Sequence, residues 1–156
     1  MAGNFTLYSA AGLSIGSAAF SLGSDNFNSI LLTTAYVPSP STDALYSDIS
    51  INEVVTGGGY TVGGLPLTGV TWTRSSATST FSAQSAVWTG VTLSARYVVI
   101  VRRASASLAP SDKLLGYVDL TLGGNASATA STFQVNWNNA STPSSANAVF
   151  TVVHNP

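Results

Sequence analysis

The side chains that carry most enzymatic chemistry are scarce in this 156-residue chain, which has one histidine and no cysteine. A Ser-His-Asp triad needs an imidazole held rigidly beside its nucleophile. His154 lies two residues from the C-terminal end, where chains commonly fray, and no Gly-x-Ser-x-Gly pattern accompanies it. We read it as a surface tail residue. A structural zinc needs four converging ligands, which one histidine and scattered carboxylates do not supply. Asp43, Asp48 and Glu53 follow one another at five-residue intervals and could gather oxygens around a calcium ion. Their spacing does not match an EF-hand, so no metal site is assigned. Glycosidases need two facing carboxylates, and no local motif groups two of the six acids. The sequence thus assigns no catalytic, cofactor-binding or metal-ligating residue, and we expect no enzyme.

Other residue types invite a binding role. Gly57, Gly58, Gly59, Gly63 and Gly64 flank Tyr60-Thr61-Val62. A phosphate-cradling loop would need a Lys followed by Ser or Thr after its last glycine and a helix behind it; neither follows, so these are read as turn or bulge glycines. Trp72, Trp88 and Trp137 could form a sugar-stacking platform. Each falls at an inward-compatible position of an expected strand, so core packing is the better reading. Arg102-Arg103 is the one pair of adjacent cations, either a solvated strand end or a docking pair for acidic groups on a neighbour.

Composition narrows the partners. Charged residues make up 7% of the chain, with five Lys+Arg, six Asp+Glu and a net charge of −1, against roughly 25% in a typical soluble domain. Five dispersed cations cannot form the basic footprint that displaces counterions from phosphates, so nucleic acid is excluded as a partner. A 45% hydrophobic content is ample for a core and argues against disorder. No apolar run approaches a membrane span, and the Leu7 to Phe20 stretch is too interrupted for a secretory signal. What low charge favours is association: repulsion between copies is weak, and Lys, Glu and Asp are the types depleted at protein interfaces.

The elements that must position these residues read as strands. No helical stripe is sustained, whereas Val, Ile and Thr are abundant between Gly and Pro. Phe27 to Thr34 is the first expected strand, ended at Pro38 and Pro40. Ser41 to Glu53 has room for one helical turn capped by Ser41 or Thr42. Val70, Trp72 and Arg74 alternate with threonines, and Thr80-Phe81-Ser82 is their expected partner. Val91 to Arg102 is the longest run, apolar on both faces at Tyr97 to Val101, as in a covered central strand. Leu114 to Leu122, Thr132 to Asn138 and Ala148 to Val153 follow, with Ala104 to Ser111 and Ala140 to Ala148 as loops. The expected fold is a single-domain, all-β antiparallel β-sandwich, jelly-roll or Ig-like, of about seven or eight strands over residues 26–156.

The order of several short segments carries a family resemblance. Ile30-Leu31-Leu32-Thr33-Thr34-Ala35-Tyr36, Leu45-Tyr46-Ser47-Asp48-Ile49, Glu53-Val54, Gly59-Tyr60-Thr61-Val62-Gly63-Gly64 and Leu67-Thr68 come first. Val87-Trp88, Leu93-Ser94-Ala95-Arg96-Tyr97-Val98-Val99-Ile100, Leu114-Leu115-Gly116-Tyr117-Val118-Asp119 and Phe133-Gln134-Val135-Asn136-Trp137 continue it. Over residues 27–153 this resembles a group of small β-rich virion structural proteins of tailed bacteriophages. The resemblance implies a particle component: first a capsid decoration or cement protein bridging major capsid protein subunits, alternatively a tail- or fibre-associated receptor- or glycan-binding module. It also implies a virion location, made in the host bacterial cytoplasm, with major capsid protein and further copies of the chain as partners, a homo-oligomer in the particle, and no membrane. Where that pattern would open on an amphipathic helix, residues 1–25 are rich in Ser, Gly and Ala. We therefore expect an extended N-terminal arm ordered by neighbours. Phe5, Leu7 and Tyr8 on that arm, with Arg102 and Arg103, are the candidate subunit contacts.

Overall fold

The computed structural model describes residues 3–137 and 147–154. In chain order its strands are β1 (Thr6–Leu7), β2 (Asn26–Leu32), β3 (Leu65–Pro66), β4 (Thr71–Ser75), β5 (Thr78–Ala83), β6 (Ala86–Ala95), β7 (Tyr97–Arg103), β8 (Leu114–Asp119), β9 (Ala126–Val135) and β10 (Asn147–Val153). Two short helices, α1 (Ser9–Gly16) and α2 (Tyr46–Ile49), and a 3₁₀ turn at Ser50–Asn52 complete the regular structure. The fold is all-β, and every strand pairing among the described residues is antiparallel.

The central sheet runs β1-β8-β7-β2-β3. β2 and β7 form its middle, in unbroken register from Asn26↔Arg103 to Leu32↔Tyr97. Tyr97 to Val101 and Ile30 to Leu32 are buried on both faces, which is why their sequences show no polar alternation. A second sheet runs β10-β5-β4. Here Phe81 of β5 lies across from both Trp72 and Phe150, and its ring meets that of Phe27 on β2 at 5.4 Å and 71°. That edge-to-face contact joins the two sheets in one core. The third pairing, β6 with β9, sets Trp88 opposite Phe133. Its register slips between Trp88 and Leu93, around Gly90 at φ 65°, a bulge of the kind that bends a strand.

Four expectations change. The run Val91 to Arg102 is two strands, not one. The chain turns at Arg96, whose N–H donates to Leu32 O at 2.9 Å, so the halves serve different sheets; an apolar run alone cannot show such a corner. The turn within residues 41–53 is present as α2, but Ser41 and Thr42 do not cap it. Asp48 Oδ2 instead accepts the Ala44 and Leu45 N–H groups, each at 2.9 Å. Trp137 lies beyond the end of β9 at Val135; Asn138 and residues 140–146 of the expected final loop lie outside the described residues.

The largest change is at the N-terminus, where the chain is not an extended arm. Gly3 N–H donates to Asp119 O at 2.7 Å, Thr6 and Leu7 pair with Tyr117 and Gly116, and Tyr8 N–H donates to Leu115 O at 3.2 Å. This strand occupies the edge of β8. Behind it α1 buries Ala11 and Ser14, and Phe20 and Leu22 enter the same core as β2. A boundary at residue 25 therefore separates no independent unit. Few apolar residues serve this segment, and the intervening Ser, Gly and Ala disguise them.

Candidate functional site

The charged side chains are spent almost entirely inside the molecule. Asp25 pairs with Arg102 at 2.8 Å and Asp119 with Arg96 at 3.0 Å. Arg96 also stands 4.9 Å from the Tyr97 ring centroid, close enough for a cation–π contact. Asp112 is buried and accepts the Ala104 and Ala109 N–H groups. Only Asp48 and Arg74 are exposed, and Asp48 is occupied at the start of α2. What remains on the surface is largely uncharged, and it includes exposed aliphatic side chains such as Leu13, Val37, Ile51, Val55 and Val153.

Two buried nodes use carboxylates to organise tyrosines. Glu53 accepts Tyr46 OH at 2.5 Å, Tyr60 OH at 2.7 Å and Gly63 N–H at 2.7 Å. Tyr60 OH in turn accepts Leu31 N–H at 3.1 Å, so one acid ties the glycine-rich segment and α2 to the centre of β2. Gly64, at φ 62°, lies so close to β2 that a Cβ would stand 2.0 Å from Ser29 O. The glycines permit backbone-to-backbone approach and build no phosphate cradle. In the second node, Tyr8 OH is 2.8 Å from Tyr36 OH, which donates to Asp43 at 2.6 Å. Burial pushes the tyrosine hydroxyls of both nodes well above their ordinary range. Asp43, Asp48 and Glu53 thus serve three separate networks. Among the described residues no group of three or more potential metal ligands comes together, and no helix is long and apolar enough to cross a membrane.

His154 is not a loose tail. Its N–H donates to Ala77 O at 2.6 Å and its Nε2 lies 2.8 Å from Ser79 Oγ. A serine and an imidazole at that distance resemble a nucleophile and its base. Among the described residues, however, no carboxylate meets the other ring nitrogen, and Ser79 is buried within a paired strand. The contact pins β10 to the β4–β5 hairpin. Sequence reading misses it because Ser79 has nothing local to mark it.

A concave site lies elsewhere. A cleft of about 540 Å³ opens between the N-terminal segment, the end of β8, the last residues of β9 and Val149 of β10. No Asp, Glu, Lys or Arg stands among the described residues that line it. Phe5 and Val149, both half-buried, present its apolar surface over the buried Phe133. Asn4, Thr132, Gln134 and Asn136 supply its neutral polar groups. Gln134 Nε2 donates to Asn136 Oδ1, which also accepts Ser85 Oγ–H at 2.9 Å. The Trp137 indole N–H donates to Gln84 O at 2.8 Å and fixes the end of the wall. The alternation of Thr132 to Asn136 is legible in the sequence; their convergence with Asn4 is not.

The five candidate contacts are all engaged within the chain. Tyr8 is fully buried and bonded to Tyr36, so it offers no surface to a neighbour. Phe5 stacks on Phe150 at 5.4 Å and 7°, and Leu7 packs half-buried against the core. Arg102 is committed to Asp25, while Arg103 Nη1 donates to Ala106 O at 3.0 Å. These residues spend their side chains on intramolecular contacts. Trp88 and Trp137 are buried and Trp72 is half-buried against Phe150 at 6.1 Å, so they form no shared platform. No family model matches the chain, and neither a curated protein nor a solved structure is significantly similar to it.

Proposed function

We propose that the chain is a structural virion protein: a capsid decoration or cement protein of a tailed bacteriophage, bridging major capsid protein subunits and neighbouring copies of itself. The observation carrying this reading is the fate of its charges. All but Asp48 and Arg74 are buried or half-buried, and most satisfy partners within the chain. The surface left over lacks the net field that keeps soluble proteins apart. It can be covered without stranding ions, which is costly when charges lose water unpaired. The family resemblance of residues 27–153 supports the same reading. We further propose that the sheets form a β-sandwich, with the central sheet packed through Phe27 onto Phe81 of the three-stranded sheet. The N-terminal segment, being folded in, is no part of the proposed contact.

Co-sedimentation of the purified chain with tail-less heads tests this. Saturable binding to heads, with retention during gradient purification, is the expected result. Presence solely in tail-containing fractions would replace the reading with a tail or fibre role.

A further inference from the structure

We propose that the cleft bounded by Phe5, Asn4, Thr132, Gln134, Asn136 and Val149 binds a neutral oligosaccharide. The inference is independent of the virion reading, because it rests on the chemistry of the walls. The cleft's volume of about 540 Å³ falls within the ~300–1,000 Å³ typical of small-molecule sites. Among the described residues no cationic side chain lines it, so a phosphate or carboxylate ligand would lose hydration without gaining a counter-charge. No carboxylate lines it either, which disfavours a cationic ligand.

A purely apolar ligand fits no better. Asn4 and Thr132 make no side-chain hydrogen bond among the described residues, and Asn136 Nδ2 and Gln134 Oε1 are left over from the bonds that fix their other atoms. An apolar molecule would desolvate these donors and acceptors without replacement. Sugar hydroxyls both donate and accept, matching side-chain amides that do the same. The carbon-bound hydrogens of a pyranose ring find the half-buried Phe5 and Val149.

The walls are also held in place. Phe5 is clamped by its stack on Phe150, and Asn136 by Ser85 and Gln134. Phe133 meets Trp88 edge-on at 6.1 Å. For these residues less ordering cost remains on binding, which is how preorganisation raises affinity; Asn4 and Thr132 still have to be ordered by the ligand.

The test is NMR titration of the full chain with maltotriose, cellotriose, chitotriose and a galactose trisaccharide, each to about 10 mM, a range that reveals millimolar dissociation constants. A galacturonic acid trimer and a neutral Ser/Thr/Gly peptide serve as comparisons. At least one neutral sugar should shift the side-chain amide signals of Asn4, Gln134 and Asn136 in a saturable way, with the acidic trimer and the peptide weaker. Asn136→Ala should weaken that sugar about tenfold, the scale of one lost hydrogen bond and its orphaned partner. Asn4→Ala, at an exposed position, should weaken it in a chain whose remaining spectrum is unchanged, keeping the test separate from misfolding. The proposal is overturned if no neutral sugar moves these signals, if the peptide or acidic trimer binds as well, or if both variants bind unchanged.

Discussion

The Phe5 ring lies against Gly116, at a point where a Cβ on residue 116 would stand 2.4 Å from Phe5 Cζ and 2.6 Å from Thr6 O. The same ring stacks on Phe150 of β10. Glycine at this point of β8 therefore lets the N-terminal segment bridge two sheets. Gly116→Ala should destabilise the protein by about 1–3 kcal/mol, the usual cost of overpacking, read from the urea midpoint. Much of the crowding comes from the ring, so Gly116→Ala should cost less in a Phe5→Ala background. Equal costs in both backgrounds would place the strain elsewhere.

Glu53 makes a different kind of join, with three donors converging on one buried carboxylate. In Glu53→Gln an NH₂ replaces one acceptor oxygen and turns it toward a hydroxyl or N–H that itself needs an acceptor. The expected loss is about 1–3 kcal/mol for the stranded group. Faster hydrogen exchange at Gly63 should accompany it, because its N–H is one of the three donors. An unchanged melting temperature and unchanged Gly63 exchange would show that the node is not structural.

How much of this is legible in the sequence depends on how local each signal is. Tyr97 to Val101 announces a covered central strand, and Trp72 with Phe81 announces a hairpin, because each pattern lies within a few residues. Glu53 looks like one of three spaced carboxylates that could hold calcium. Its partners Tyr60 and Gly63 are held there by the close approach of Gly64 to Ser29, which no spacing rule encodes. Tyr8 reads as a surface contact because its neighbours are Ser, Gly and Ala. Its burial depends on Tyr36 and Tyr117, far along the chain, the latter ring 5.4 Å away. Phe5 and Asn136 line one cleft for the same reason: packing brings together what the sequence separates.

The buried tyrosines give the fold a defined alkaline limit. Burial first, and the neighbouring acids second, raise the hydroxyl pKa values of Tyr46 and Tyr60 above the ordinary 10.0; burial likewise dominates at Tyr8 and Tyr36. Below pH 10 these groups are neutral in both states and their contribution to stability is intact. As pH rises past 10 the unfolded chain ionises first, so stability falls. Tyrosinate absorbance near 295 nm should therefore lag and then rise together with loss of the folded circular dichroism signal. Full ionisation of these four tyrosines near pH 10, with the folded spectrum retained, would contradict the buried networks.

The acid limit runs the other way. The Ala44 and Leu45 N–H groups hold the Asp48 carboxyl below its usual range. For Asp119, burial acts upward but is outweighed by the Thr121 N–H, the Arg96 guanidinium and the Leu122 N–H. A lowered folded-state pKa means stability that is present above the ordinary 3.8 and lost as pH falls below it. Asp119→Asn should lower stability at neutral pH and flatten the decline in acid. A variant whose acid decline matches the parent's would remove Asp119 from that limit.

The neutral surface can be challenged directly. Thr73 on β4 and Thr129 and Ser131 on β9 are exposed; β9 carries no charge over its ten residues and β4 carries Arg74 alone, so both lack the lysines that commonly discourage edge-to-edge pairing. Replacing the three by lysine should leave monomer stability within about 0.5 kcal/mol of the parent per site, as expected for exposed positions. If the chain works by being covered in a particle, the same change should sharply reduce both concentration-dependent self-association in sedimentation and uptake onto heads. The effect should shrink as salt screens the added charges. Unchanged uptake at low salt would mean that these strands are not where neighbours sit. Unchanged uptake after every other uncharged face had been altered in turn would defeat the assembly reading itself.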